Sequence, residues 1–541
     1  MVTAELRNDI KLTFSADEVG LLERIKERLT FDNPKYAQVK RYSRYKYTKV
    51  PPYLTYYSGQ HRDRKEDTIS IHVPIGTDLE DLFNNPLYSN FDYEVEDYRV
   101  EPRVSYPISN FTLRDDQSKA FKSFVESCVN ELPHHHYSQG AGVVSMPTGK
   151  GKTILGIYIA QWLKVKTLVL VHKDDLVTGW KKDISQFFGG KLEAGIIKAK
   201  TRNTDSNIVI ATVQTLSRMK EEELDKYLDM FGLIITDECH HIASTTFNIV
   251  GEFNAKYKLG LSATPKRSDG LTPALFLYNG PLVFKLEYKK SDKDILPCKV
   301  ILQKSKAKYL PFVAKEKGTP VDQVFNYYDF LEEDLPRDYC LVQNIPYNQR
   351  PRISFSTIDD CVVTNRAFKI QVCKKVLEHA TQGHSCLLLF TQKEHIDLYY
   401  IFLKRYFPKE KIMKFYGDSK EKSSVLMERA DSKEVLITLA TLAKTTEGTN
   451  VKAWEVLFLI SSMNDSKNIE QATGRIRRVK DGKLKPVLVY DYYHSEVYSM
   501  RNHISTHLST FKRLKYDIDY GDTGLLSDSG KMFSRGYNTN V

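Results

Sequence analysis

Five times before residue 266, a short run of β-branched and aliphatic residues ends abruptly in a polar, glycine-bearing or acidic turn: "AGVVSMPTGKGKT", "VKTLVLVHKDDL", "SNIVIATVQTL", "FGLIITDECHH" and "KYKLGLSATPKR". Between them lie stretches with helical spacing, such as Ile154 to Leu163 and Leu176 to Phe188. A chain that alternates in this way buries its apolar runs as a parallel sheet with helices on its faces. Ligands of such sheets sit at the carboxyl ends of the strands, where all of these turns fall.

A second series begins near Asn365. It comprises a helix-like stretch to Thr381, the strand "SCLLLF", a helix from Glu394 to Tyr406, the strand "KIMKFY", a helix from Asp418 and the strand "EVLITLA". "WEVLFLI", a short helix around Ile469 and "KPVLVYDY" complete a second α/β domain, with a helical close to about Lys515. Residues from about 287 to 360, rich in Lys, Pro, Tyr and Asp, break the alternation and read as a connector with local structure. The polar tail after Gly521 reads as mobile. The expected boundaries are 1–105, 106–290, 291–360, 361–515 and 516–541.

A length of 541 residues is too great for one core and fits about three or four domains. A net charge of +11 suits a polyanionic partner but equally suits a soluble basic enzyme. Seven cysteines, odd in number and without a C-x-x-C pair, argue against a disulfide framework and for a reducing compartment. The charged N-terminus and the short apolar runs carry neither a signal peptide nor a membrane span, so an intracellular soluble protein without a membrane partner is expected.

The loop "SMPTGKGKTILG" places glycines and lysines between a buried strand and a helix. Successive unpaired amides there, with the positive end of the helix, form a cradle for phosphate oxygens. Lys152 is placed to reach β and γ phosphates and Thr153 to offer its hydroxyl to Mg²⁺, in a G-x-x-x-x-G-K-[ST] pattern whose first glycine is replaced by Met146. In "LIITDECHH", Asp237 and Glu238 end an apolar strand, where an Asp can hold Mg²⁺ and a Glu can deprotonate the attacking water; capping of a helix by Asp237 is the plainer alternative. "QATGRIRR", with Gln471, Gly474, Arg475 and Arg478, can stabilise charge on a transferring phosphoryl group, although taken alone it also fits a solvated helix face.

The ordered set "LRDDQ", "MPTGKGKT", "LVLVHKDDLVTGW", "IATVQTL", "DECH", "LSATP", "LLLFTQ", "TLAKTTEGTNV" and "QATGRIRR" resembles the motifs of superfamily 2 helicases and translocases over roughly residues 111 to 515. It looks most like the UvsW-type phage helicases and their relatives of the xeroderma pigmentosum B type. "DNPKYAQVKRYSRYKYTKVPPYLTYYSG" is similar, more weakly, to the small substrate-recognising domain ahead of the phage motors. The resemblance implies an α/β fold with two tandem recombinase-like parallel-sheet motor domains and a small N-terminal α/β accessory domain. It also implies an ATP-dependent DNA helicase or translocase, a monomer, that uses Mg²⁺ in replication, recombination or repair.

Residue by residue, the resemblance assigns Gln117 to the adenine edge. The loop Pro147, Thr148, Gly149, Lys150, Gly151, Lys152 and Thr153 goes to the phosphates, Thr153 and Asp237 to the metal, and Glu238 to the attacking water. His240, Ser262, Ala263 and Thr264 would link the nucleotide site to the nucleic-acid site. Gln471, Arg475 and Arg478 would close on the γ-phosphate, and Gly448 with Asn450 would help to sense nucleotide. His172, Lys173, Thr212, Thr391 and Thr441 would touch the nucleic-acid backbone. Met146, Cys239 where alanine is common, and Asn450 where many members carry Asp depart from the family pattern; the last puts a ribose contact in doubt. Two motor domains sharing one ATP would hinge, each cycle moving one of them along the strand.

Between residues 34 and 57, cations including Lys40, Arg41 and Arg44 alternate with tyrosines including Tyr45, without one acidic residue. Cations neutralise phosphates and tyrosines stack on bases, so this stretch suits duplex or branched DNA; an ordinary antiparallel sheet would use the same residues. His134, His135 and His136 have no obvious partner ligands for a metal. Three alternatives stay open: a nucleic-acid-binding scaffold whose motor has decayed, an RNA helicase, and a P-loop kinase, which would not carry Gln117 and "SATP".

Overall fold

In the computed structural model, the strand Ala141–Ser145 is buried at every residue because it lies inside an eight-stranded sheet. The order across that sheet is Thr201–Asn203, Gly195–Lys198, Ile208–Thr212, Thr167–Val171, Leu233–Asp237, Tyr257–Ser262, Ala141–Ser145, Leu282–Lys285. The five central strands, from Ile208–Thr212 to Ala141–Ser145, pair in parallel, so their polar turns come to one edge of the sheet. Helices cover both faces, and Leu155, Ile159, Trp180 and Ile184 fill one of the two cores.

The structure describes residues 1–33, 36, 50–83, 91–109, 111–128, 140–147, 149–241, 247–265, 271–287, 295–307, 311–316, 319–326, 339–341, 355–417, 423–445, 451–463, 465–495, 497, 500 and 503–525. They form two units, Met1–Glu287 and Tyr288–Val541. Lys40, Arg41, Arg44, Tyr45, His134, His135, His136, Thr148, Gly448, Asn450 and the end of the tail lie outside the described residues.

The first unit also holds a five-stranded sheet in the order Ser58–Asp63, Thr68–Pro74, Asp9–Ser15, Val2–Leu6, Tyr93–Asp97. Strict alternation along Asp9–Ser15 turns Ile10, Leu12 and Phe14 inward, against Leu21, Ile25, Leu79 and Phe83 of two short helices. This module is seated on the eight-stranded sheet rather than tethered beside it. Gly76 donates its amide to Leu277 O at 2.8 Å, Val100 to Asn254 O at 2.8 Å, and the buried Lys258 ammonium to Asn8 O at 3.2 Å. Tyr56, one of the tyrosines expected to face nucleic acid, stands edge-on to Tyr278 and packs against the module's core. Lys258 lies near the start of its strand, at the end away from the functional turns.

The second unit is a seven-stranded, wholly parallel sheet: Ile412–Phe415, Ile437–Thr441, Cys386–Phe390, Val456–Leu459, Val487–Tyr493, Cys298–Lys304, Asp517–Asp519. The helix Arg366–Thr381 starts where the Asn365 side chain accepts the Phe368 amide at 3.1 Å. Two expectations are corrected here. Cys298–Lys304, left in the connector, is a strand of this sheet, with Cys298, Val300 and Leu302 buried; the apolar Ile301 between the last two interrupts the apolar–polar alternation. Asp517–Asp519, left in the tail, is its edge strand, too short and acidic to read as one. Part of the expected connector, Phe355–Thr364, is a helix. Another part forms a separate antiparallel sheet, Thr319–Asn326, Pro311–Glu316, Tyr339–Leu341.

Candidate active site

The phosphate loop forms because Gly149 and Gly151 adopt φ of 86° and 77°, a left-handed conformation that suits glycine. The helix Lys152–Leu163 then begins without a side-chain cap, leaving first-turn amides facing the loop. A Cβ at Gly151 would lie 2.5 Å from Gln117 Nε2, whereas one at Gly149 would meet nothing within 4 Å, so the loop is closed on the Gln117 side and open over Gly149. Met146, standing where glycine is usual, is buried in the core and donates its amide to Ser262 O at 2.9 Å; its side chain stays out of the loop.

Gln117 stitches two motifs together: its Oε1 accepts the Arg114 amide at 3.0 Å and its Nε2 donates to Gly151 O at 3.0 Å. Lys150, grouped with the phosphate ligands from sequence, instead points its buried ammonium at Asp116 Oδ2, 2.9 Å away, and anchors the loop to the helix Asp115–Cys128. Lys152 reaches Met146 O at 3.2 Å and Glu238 Oε1 at 3.4 Å, with 9% of its surface exposed. Thr153 lies half-buried in the first turn of the same helix.

Asp237 ends a wholly buried strand, and its Oδ2 accepts the indole N–H of Trp180 at 2.8 Å while Oδ1 accepts the Glu238 amide at 3.0 Å. Burial, with the neighbouring Glu238 charge, pushes its carboxyl up to about 6. Glu238 has φ of 46°, a left-handed conformation that costs a non-glycine residue free energy and aims its side chain back at Lys152. His240 follows: its Nδ1 lies 3.5 Å from Glu238 Oε2 and 2.7 Å from Ser262 Oγ, which in turn accepts the Thr264 amide at 3.1 Å. Ala263 O accepts a bond from Ser145 Oγ, at 3.4 Å. Cys239 is buried, 3.3 Å from where a Cβ on Gly260 would stand, so it fills a space that this glycine leaves.

A hard cation wants oxygen ligands and a triphosphate wants amides and a cation. The Asp237 carboxylate with the Thr153 hydroxyl, and the left-handed glycine loop ending at Lys152, match those needs. Along the same sheet edge, His172 and Lys173 follow the strand Thr167–Val171, and Gln214 Nε2 donates to His172 O at 2.8 Å. Thr212 is nearly buried, its hydroxyl 2.7 Å from that of Thr215.

In the second unit, Thr391 and Thr441 close neighbouring parallel strands. The Thr391 hydroxyl donates to Asp359 Oδ2 at 3.2 Å, and Asp359 Oδ1 accepts the Ser462 amide at 2.8 Å. Gln471 and Arg475 are nearly buried on the helix Ser466–Ile476, and Arg478 follows it. Arg477, between the two arginines singled out from sequence, is architectural: its Nε donates to Leu296 O at 2.8 Å and its guanidinium lies 4.9 Å over the Tyr516 ring. Sequence reasoning missed Asp116, Trp180 and Asp359, each distant along the chain from the group it holds. Asp116 stood inside the quoted "LRDDQ" and the tryptophan inside "LVLVHKDDLVTGW", where its indole donor was a signal.

Residues 110–267 match the family model described as the type III restriction enzyme res subunit. The chain is 25% identical over 401 residues to the DNA 3'-5' translocase XPB2 of Sulfurisphaera tokodaii, covering 72% of this chain and 84% of that one. It is likewise 25% identical over 399 residues to "Probable helicase D10" of Escherichia phage T5, covering 73% and 75% of the two chains. The fold is similar to a fragment of an HsdR subunit of a type I restriction enzyme from Vibrio vulnificus YJ016. That similarity has a TM-score of 0.50 and 17% identity, over 76% of this chain and 69% of that chain.

Proposed function

Because the chain belongs to superfamily 2 of the helicases and translocases, we propose that it hydrolyses ATP to move along DNA and to remodel duplex, forked or branched molecules. The observation that carries this reading is the unbroken series of contacts Lys152, Glu238, His240, Ser262, Thr264, which joins the phosphate loop to the "SAT" turn.

In this reading the amides of Gly149 to Thr153 and the Lys152 ammonium hold the β and γ phosphates, and Gln117 reads the adenine. Thr153 and Asp237 would hold Mg²⁺, whose chemistry there would be to offset the negative charge of the phosphate oxygens. The Glu238 carboxylate accepts a proton from the attacking water, while Gln471, Arg475 and Arg478 stabilise charge on the departing phosphoryl group. A change in the Glu238 contacts on loss of the γ-phosphate passes through His240 to Ser262, Ala263 and Thr264. Gly448 and Asn450 sense the nucleotide. His172, Lys173, Thr212, Thr391 and Thr441 meet the nucleic-acid backbone, which carries no base information, so tracking is independent of sequence. Lys40, Arg41, Arg44 and Tyr45 of the N-terminal module add affinity for the substrate.

The test is ATPase stimulation by single strands, duplex, forks, four-way junctions and RNA, with Arg475→Ala and Arg478→Ala alongside. DNA should stimulate turnover, and either alanine should depress kcat far more than ATP affinity. Stimulation by RNA alone, or none by any polynucleotide, would overturn the assignment. Combined Lys40→Ala, Arg41→Ala and Arg44→Ala should reduce the salt dependence of DNA binding by roughly one unit of slope per lost phosphate contact.

A further inference from the structure

No motif includes Lys483, yet its buried ammonium is ringed by carbonyls from two separate functional segments. Nζ donates to Ile476 O at 2.6 Å, Arg478 O at 3.0 Å and Lys452 O at 2.8 Å. Ile476 ends the helix that carries Gln471 and Arg475, and Arg478 lies just beyond it. Lys452 follows closely on Gly448 and Asn450. A cation at a helix C-terminus satisfies carbonyls that have no partner within the helix. Here it also binds a third carbonyl from another part of the chain, and an ammonium has three donors to give.

The surroundings hold these segments from their other sides. Asp431 Oδ1 accepts the amides of Lys452 and Ala453 at 2.6 and 2.9 Å, and its Oδ2 lies 3.3 Å from Lys480 Nζ. Glu455 accepts the Leu484 amide at 2.9 Å, the Ser385 amide at 2.8 Å and the Lys433 ammonium at 2.9 Å. On the far side of the arginine turn, Leu296 exchanges backbone and guanidinium bonds with Arg477. Segments 452–455 and 476–484 therefore form one polar frame, with the Lys483 ammonium at the point where they meet.

We propose that Lys483 is a positioning residue for ATP hydrolysis: by gathering the carbonyls of Lys452, Ile476 and Arg478 it holds the arginine turn and the segment after Asn450 in one register. The inference rests on the role given above to Arg475 and Arg478. An ammonium bound to three carbonyls leaves little freedom to the turn it closes, and a displacement of about 1 Å in a charge-stabilising group can cost ~10²-fold in rate.

The test is steady-state ATPase of the full chain, with DNA saturating, for Lys483→Met, Lys483→Gln, Arg475→Ala, Arg478→Ala and the double variant Lys483→Met with Arg478→Ala. Lys483→Met keeps the length and removes every donor; kcat should fall about 10-fold or more while KM for ATP stays within about twofold, and Lys483→Gln should recover part of the loss. In the double variant the losses should fail to multiply, because a misplaced arginine and an absent one remove the same interaction. Lys483→Met with normal kcat, or losses that multiply, would overturn the proposal and leave the arginine reading standing. Normal turnover in both arginine variants would overturn both. If Lys483→Met does not fold, Lys483→Gln decides in the same way: reduced kcat at unchanged KM supports positioning, and normal kcat overturns it.

Discussion

The indole N–H of Trp180 donates to Oδ2 of Asp237 at 2.8 Å within the core of the first motor sheet. A buried hydrogen bond to a carboxylate is stronger than one between neutral groups, and this one holds Oδ2 of Asp237 while Oδ1 accepts the Glu238 amide. Trp180→Phe removes the donor and also the outer ring atoms that pack beside Gly156, so its thermal midpoint is compared with wild type alongside turnover. Turnover should fall about 10-fold with ATP binding nearly unchanged, as outer contacts of metal-binding groups are worth roughly 10–100-fold. Steady-state ATPase and equilibrium nucleotide binding check this; unchanged turnover would mean that Asp237 is held without the indole.

Lys152 is nearly buried, so replacing it with alanine would open a gap beside Glu238 as well as removing a charge. Lys152→Met separates the two effects by keeping volume. We expect turnover to drop ~10³-fold with a thermal midpoint close to wild type, because in the proposed site the lost interaction is with the transferring phosphoryl group. Calorimetry beside phosphate release would show it, and retained hydrolysis would remove Lys152 from the site.

For Glu238→Gln we expect ATP binding to persist and hydrolysis to slow by about 10²–10⁴-fold, the range of a positioned general base. The amide keeps the shape and the contact toward His240. A variant unable to bind nucleotide would show that Glu238 is there to hold the loop.

Gly76 marks where the N-terminal module meets the motor: a Cβ there would stand 2.2 Å from Phe276 O, too close for any rotamer change to relieve. Gly76→Ala should therefore cost roughly 1–3 kcal/mol and lower the thermal midpoint by a few degrees. A midpoint equal to wild type would mean that the seam between module and motor opens freely.

His507 couples stability to pH. Its Nδ1 meets Asp491 Oδ2 at 2.7 Å and its Nε2 meets Met463 O at 2.5 Å, so both nitrogens face acceptors and the ring is held as imidazolium. Burial alone would lower its pKa, but Asp491 and the Met463 carbonyl outweigh that and raise it above 6.5. A raised histidine pKa contributes stability that is full below the unfolded value and is lost as pH rises through the folded one. The midpoint difference between wild type and His507→Asn should thus be largest near pH 6 and shrink toward pH 9; a difference constant with pH would refute the charged ring.

Much of the site was legible because its chemistry lies in contiguous stretches. Lys152 and Thr153 follow a glycine loop, Asp237 and Glu238 end one strand, and Arg475 and Arg478 share one turn. Strand ends in a parallel sheet converge by topology, so the first sheet brings "TGKGKT", "DECH" and "SAT" to one edge without further information.

What the sequence determined by itself, then, was the alternation that builds two parallel sheets and the order of residues in each candidate turn, since period and spacing are local properties of the chain. Tertiary structure alone decided which groups hold those turns in place: Asp116 on Lys150, Trp180 on Asp237, Lys483 on the carbonyls beside Arg478. It also placed Cys298–Lys304 and Asp517–Asp519 in the second sheet and seated the N-terminal module on Leu277 and Lys258. Nearly all of these bring together groups far apart along the chain. A composition or a period cannot name the partner, because the free energy of such a pair depends on burial and distance that exist only once the chain has folded.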